Sequence, residues 1–247
     1  MDRLYIKKII FDNGLDSFSY LNNLPAVKHL KNHQELVFNK KVTFFVGENG
    51  TGKSTLTEAI AVAYGFNPEG GSRNFSFETE SSHSELFEHL TIEKQEFADD
   101  GYFLRAESFY NVASNIDQLD RQPAASGLII EGYGGVSLHK QSHGEGFMSL
   151  VQNRFNGKGL YILDEPEAAL SPTRLLTLLA EIDRLVKDDS QFIIATHSPI
   201  LMAYPDADIF EFSNEGIRLV EYTDTEHYKV TKSFLQDPNR MLKILLE

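Results

Sequence analysis

Cysteine is missing from all 247 residues. That absence removes disulfides, thiolate metal sites and thiol catalysis together, and it fits the reducing interior of a cell. No apolar run approaches the roughly 20 residues that a membrane-spanning helix requires, and Met1-Asp2-Arg3-Leu4 does not open a signal peptide. The chain is therefore expected to be soluble and cytoplasmic, with no direct membrane insertion. Positive charge is also scarce: 23 Lys and Arg stand against 36 Asp and Glu, for a net charge of −13. Affinity for a nucleic-acid backbone comes mostly from Lys and Arg, which argues against a broad DNA-coating surface but leaves room for a local basic groove on a dimer. Internal repeats and low-complexity tracts are absent as well. What remains is an ordinary globular composition, 41% hydrophobic and 24% charged, in a chain able to bury the full core of one large α/β domain.

The most informative stretch is Gly47-Glu48-Asn49-Gly50-Thr51-Gly52-Lys53-Ser54, directly behind the apolar run Val42–Val46. It is a Gly, four residues, then Gly-Lys-Ser, between a short β-branched and aromatic strand and a helix expected over Thr55 to Ala63. Glycines permit positive φ and let the backbone approach an anion, while successive N–H groups and the helix N-terminus surround it. Lys53 is placed to bridge the β- and γ-phosphates of a nucleotide, and the Ser54 hydroxyl to ligate Mg²⁺. A glycine-rich turn can be merely structural; Lys-Ser at its end points to nucleotide binding.

Around this loop the chain reads as alternating strands and helices. Leu4 to Phe11 and Leu36 to Phe38 are expected strands, and Pro25 begins a short helix carrying Lys28, His29, Lys31 and His33 as a solvated face. Asn67 to Asn74 and Gln122 to Gly135 read as loops, with helical segments expected over Ser84 to Leu90 and Phe109 to Leu119. His83 and His89 lack the spacing of a metal site. Gly101 to Glu107 is a core strand whose exit residues, Arg105 and Glu107, are candidates for facing the nucleotide, since parallel strands present functional side chains at their C-terminal ends.

Farther on, Ser142-His143-Gly144-Glu145-Gly146 precedes a helical pattern, with Gly157 placed to end it. Leu160 to Glu165 is an apolar strand ending in two carboxylates. In combination with the upstream loop, Asp164 is placed to hold Mg²⁺ and Glu165 to orient the attacking water or accept its proton. Pro166 keeps Glu165 out of helical conformation. Ser171 and Pro172 begin another helix, and Gln191–Ala195 is a buried strand ending at His197, where an imidazole can hydrogen-bond a γ-phosphate oxygen or the water. Ile209–Phe212 and Ile217–Val220 flank a turn as a hairpin, and two helices close the chain.

In this order the four pieces resemble the ABC-type ATPase family of P-loop NTPases, over most of the chain from Val42 to about Pro199. Gly47 to Ser54, with Thr55 after it, is similar to Walker A, and Gly159 to Glu165 to Walker B with its catalytic Glu. Ala169-Leu170-Ser171 looks like the D-loop and His197 like the switch histidine. Gln141 to Glu145 stands where the family has its Leu-Ser-Gly-Gly-Gln signature, with Gln141, His143 and Glu145 as departures. A final Glu is similar to SMC-type heads rather than transporter subunits, and the whole resembles small stand-alone ATPases related to SMC and RecF heads. No clear Q-loop glutamine is present, and Tyr5, Phe11 and Phe38 are the candidates for stacking on adenine. The resemblance implies an α/β fold with a mostly parallel central sheet flanked by helices and an N-terminal antiparallel β portion over 1–41. The P-loop core then covers 42–66 and 100–213, variable helical segments 67–99 and 108–141, and a hairpin with helices 214–247. It implies ATP and Mg²⁺ as cofactors and an ATP-dependent homodimer in which Ser142, Gly144 and Glu145 of one copy meet the γ-phosphate held by the other. A conformational switch in DNA repair, genome maintenance or phage defence, with nucleic acid or an effector protein as partner, is the leading expectation. A transporter's ATP-binding subunit and a slow regulatory module are the alternatives.

Overall fold

The computed structural model describes residues 3–12, 14–73, 84–106, 109–121 and 128–246. Its first part supplies β1 (Lys8–Phe11), α1 (Pro25–His33) and β2 (Glu35–Val37), then β3 (Val42–Gly47), α2 (Lys53–Tyr64) and β4 (Leu90–Glu93). Next come β5 (Asp100–Arg105), α3 (Phe109–Leu119), α4 (His143–Arg154), β6 (Gly159–Asp164) and α5 (Pro172–Lys187). β7 (Gln191–Ala195), β8 (Ala207–Ser213), β9 (Gly216–Leu219), α6 (Glu226–Gln236) and α7 (Pro238–Leu246) complete the described chain. The larger sheet runs β5-β6-β7-β3-β8-β9. Its first five strands are parallel, and only β9 turns back as the expected hairpin. The smaller antiparallel sheet is β2-β1-β4.

The central strands are apolar without alternation because both faces of a parallel sheet are covered. Side chains still alternate in direction. Phe45, Ile162 and Ile193 join α2 and the small sheet in one core, while Phe44, Tyr161 and Ile194 join α3, α4 and α5 in the other. Registers align the strand ends: Arg105 lies opposite Asp164, and Asp164 and Phe45 both lie opposite Ala195. Everything attached just beyond those residues therefore meets at one edge of the sheet.

Several expectations need correction. β1 starts at Lys8 because Tyr5 and Ile6 donate their backbone N–H groups to the buried Gln191 side-chain carbonyl, not to a strand. β4, hidden in an acidic stretch, completes the small sheet by pairing Leu90 to Glu93 with β1. Ser84 to Leu90 is a short 3-10 turn over Glu85–His89. α4 stops at Arg154 and does not run on to Gly157; a Cβ at Gly157 would lie 1.8 Å from the Asp188 carboxylate, so this glycine serves a close approach. His29 is not simply solvated, because its Nδ1 accepts from the Ile217 backbone and ties α1 to the hairpin. Glu107, His83, Asn74 at the end of the first expected loop and 122–127 of the second lie outside the described residues.

Candidate functional site

β3 ends at Gly47, whose φ of 127° and packing leave no room for a side chain: a Cβ there would sit 2.1 Å from the Phe212 carbonyl of β8. Gly50 and Gly52 also have positive φ. Glu48, Asn49 and Gly50 are exposed at the loop's crest, while the Thr51 hydroxyl donates to the Glu48 carbonyl at 2.8 Å. The Thr51 carbonyl in turn accepts from Ala26 at the start of α1 (3.1 Å), so α1 braces the loop. Lys53 opens α2 and is only 4% exposed. Its Nζ reaches back to donate to the Gly47 and Glu48 carbonyls at 2.7 and 2.8 Å. Burial lowers its pKa, opposed by the surrounding Glu165, Asp164, Glu167 and Glu48 carboxylates. Ser54 and Thr55 follow, half-buried in the first turn of α2.

Across the sheet edge, Asp164 closes β6 and is buried. Ser54, Asp164, Glu165, Arg105, Ala168 and His143 line one cavity of about 230 Å³. Arg105 thus does face the site. Its guanidinium bridges the buried Glu58 on α2 (2.5 Å) and Asp164 (3.7 Å). Glu165 adopts a left-handed conformation, φ 52° and ψ 51°, rare for a residue with a side chain; Pro166 bars the right-handed helix, and Glu165 N–H is anchored on the Ala195 carbonyl. That conformation aims the carboxylate sideways toward His197, whose Nε2 is 3.8 Å away. The His197 ring is held near neutrality of charge: burial, Lys53 and His227 push its pKa down to about 4.

Two site residues escape sequence reasoning. Glu167 accepts a hydrogen bond from the His197 backbone N–H, and burial raises its pKa. Its position two residues after Glu165 was the available signal. His227, in the first turn of α6, has its Nε2 3.1 Å from His197 Nδ1; nothing in the local sequence marks it. The candidates for stacking on a base fail for a simple reason. Tyr5, Phe11 and Phe38 are 3%, 3% and 1% exposed and belong to the core. Phe18 and Tyr20, by contrast, are exposed on the segment leading into α1.

The Gln141–Glu145 segment is brought to the same end of the sheet. Ser142 caps α4 by accepting from the Glu145 N–H, and the Glu145 carboxylate accepts from both the Ser142 N–H and hydroxyl. Glu145 also pairs with Arg174 at 3.4 Å. A Cβ on Gly144 would come within 2.7 Å of the Ala169 carbonyl, so this glycine lets α4 abut the turn after Glu165. His143 stacks on Phe109 with ring centroids 5.2 Å apart. A larger cleft, about 740 Å³, opens on the other flank of the loop between Glu48, the β8–β9 hairpin and α6.

The family model described as an AAA domain matches residues 20–215. Among curated proteins, the ribose import ATP-binding protein RbsA of Bacillus cereus is 27% identical over 185 residues, covering 68% of this chain and 37% of that protein. UvrABC system protein A of Lactococcus lactis is 40% identical over 50 residues, 20% of this chain and 5% of its own length. The chain thus spans little more than a third of the length of the one and a twentieth of the other. Among solved structures, cbiO1 of Clostridium perfringens, part of the ABC transporter complex cbiONQ, aligns with TM-score 0.52 and 15% identity over 99% of this chain and 100% of that one. A bacterial Atm1-family ABC exporter with ATP bound gives TM-score 0.52 and 15% identity over 94% of this chain and 43% of that one. At such identities the likeness is one of fold.

Proposed function

The chain belongs to the AAA-domain family and has the fold of ABC-type ATPases, and from that premise we propose that it is a P-loop ATPase head that hydrolyses Mg-ATP within a head-to-tail dimer of two copies. The carrying observation is the convergence of Lys53, Ser54, Asp164, Glu165 and His197, from three neighbouring parallel strands, on one edge of the sheet. The residues fit the cofactors. Ser54 and Asp164 line the same cavity and offer only oxygen donors. That suits Mg²⁺, which is usually held by one or two protein groups plus water and phosphate oxygens. Bound there, Mg²⁺ would neutralise charge developing on the phosphates.

Lys53 exchanges its two carbonyl partners for phosphate oxygens. Glu165 orients the attacking water or takes its proton, and His197 donates to a γ-phosphate oxygen or to that water. Phe18 or Tyr20 supplies the stacking surface for adenine. In the dimer, Ser142 and Gly144 at the N-terminus of α4 meet the γ-phosphate held by the second copy, with Glu145 keeping that cap in shape. The dimer acts as an ATP-driven switch in DNA repair, genome maintenance or phage defence. A second reading, a transporter's ATP-binding subunit, is favoured by the RbsA match. Co-purification separates the two: a membrane protein partner supports transport, a nuclease or neighbouring effector supports the switch.

The experiment is sizing of the Glu165→Gln protein with and without Mg-ATP, and with and without duplex DNA. A dimer that appears only with Mg-ATP is expected; a monomer under every condition defeats the sandwich.

A further inference from the structure

Two enclosed nitrogens at the site, Nε2 of His197 and Nδ1 of His227, have no hydrogen-bond partner among the described residues. The rings are joined through their other nitrogens, His197 Nδ1 and His227 Nε2, 3.1 Å apart. One of that pair must carry the proton, and the two choices are not equal.

Suppose His197 Nδ1–H were the donor. Its Nε2 lone pair would then face the Glu165 carboxylate 3.8 Å away, lone pair against negative charge. His227 would meanwhile carry an N–H on Nδ1, enclosed and without an acceptor, which folded proteins rarely tolerate. The reverse choice removes the repulsion and leaves the one unbonded N–H, on His197 Nε2, facing the Glu165 carboxylate 3.8 Å away, a favourable charge contact beyond hydrogen-bond length. His227 Nε2–H donates, its Nδ1 becomes a bare acceptor, which is the less costly orphan, and His197 presents Nε2–H toward Glu165.

We propose that His227 is the positioning residue of this site: by donating Nε2–H to His197 Nδ1, it holds His197 in the Nε2–H tautomer, aimed at the γ-phosphate or the water beside Glu165. Which nitrogen of a histidine is protonated is set by the bond its other nitrogen makes. The inference deepens the ATPase reading and rests on it for what the N–H is used for, though not for the tautomer itself. The charged groups facing the pair are Lys53 from α2, Glu165 and Glu167 from the turn after β6, Glu211 from β8, and Glu226 beside His227 on α6. A carboxylate in the place of His227 would stabilise an imidazolium. A second imidazole instead keeps His197 a neutral donor, in line with its pKa near 4. The arrangement also makes the seat of α6 part of the site, since Thr225 caps that helix two residues before His227.

The test is side-chain ¹⁵N NMR of the uniformly labelled full chain without nucleotide, with His197 identified by the signal lost in His197→Gln. A protonated Nε2 and bare Nδ1 on His197 are expected, giving way to mixed tautomers in His227→Ala; a protonated Nδ1 in the unsubstituted protein overturns the proposal. In ATP turnover, His227→Ala should lower kcat about tenfold with KM little changed. His227→Gln, whose amide can donate from nearly the same place, should recover most of it. A His227→Ala protein that folds and turns over at the unsubstituted rate also overturns the proposal. If the unsubstituted protein turns over no ATP, the ATPase reading fails, and the tautomer assignment is still decided by the spectrum.

Discussion

Lys53 is the residue whose removal has the most direct consequence. Its ammonium is enclosed, held by two loop carbonyls and ringed by carboxylates, so it is a charge positioned for an anion. Lys53→Ala should weaken ATP binding at least about 100-fold in a titration, since a charge-assisted contact to phosphate is lost from an enclosed site. His197 carries a different signature, in stability rather than binding. Its pKa falls from 6.5 to about 4 on folding, so below pH 6.5 the unfolded chain binds a proton that the folded one does not. Stability is therefore fully present above about 6.5 and is lost as pH falls toward 4. Lys53 and His227 add to the effect of burial by opposing a further positive charge. Urea unfolding of His197→Gln at pH 7 and pH 5 should show a smaller loss on acidification than the unsubstituted protein.

At the scale of elements, the site is a set of strand ends joined to helix starts. The β3–loop–α2 unit holds its shape partly because Gly47 has nowhere to put a side chain, with the Phe212 carbonyl 2.1 Å from a Cβ there, whereas a Cβ on Gly50 would meet nothing. Gly47→Ala should therefore destabilise the fold by more than about 2 kcal/mol, against roughly 1 kcal/mol for Gly50→Ala, where only positive φ is strained; paired denaturant melts measure the difference. α4 depends on its capping box. Ser142→Ala should cost about 1 kcal/mol of stability. Ser142→Arg should instead leave ATP binding by the monomer intact and block dimer formation on a sizing column, because the bulky charge falls at the face proposed to meet the second copy.

For the whole molecule, the two cores on opposite faces of the larger sheet fix where its C-terminal edge lies, and every candidate catalytic group is attached to that edge. The net charge of −13 sets the terms of any association with nucleic acid. If the dimer binds duplex DNA through a local groove, affinity measured across salt concentrations should fall steeply as salt rises, since phosphate contacts release counterions. A salt-independent affinity would mean the contact is not to the phosphate backbone. α6 and α7 bury none of their residues, yet His227 ties α6 to the site.

Local chemistry alone settled a good deal. A glycine-rich turn ending in Lys53-Ser54, a strand ending in Asp164-Glu165 and a strand ending near His197 could be read along the chain, because each is an uninterrupted stretch whose residue types state both its conformation and its charge. The helix starts at Pro25 and Pro172 were legible for the same reason. Other features came only from tertiary contact. β4 is a strand because β1 offers it an edge, and Tyr5, Phe11 and Phe38 are core because two sheets and α2 enclose them. His227 lies 30 residues beyond His197 and joins it only when α6 folds back. Side chains distant in sequence acquire a shared environment through packing, and no periodicity or spacing along a chain encodes that meeting.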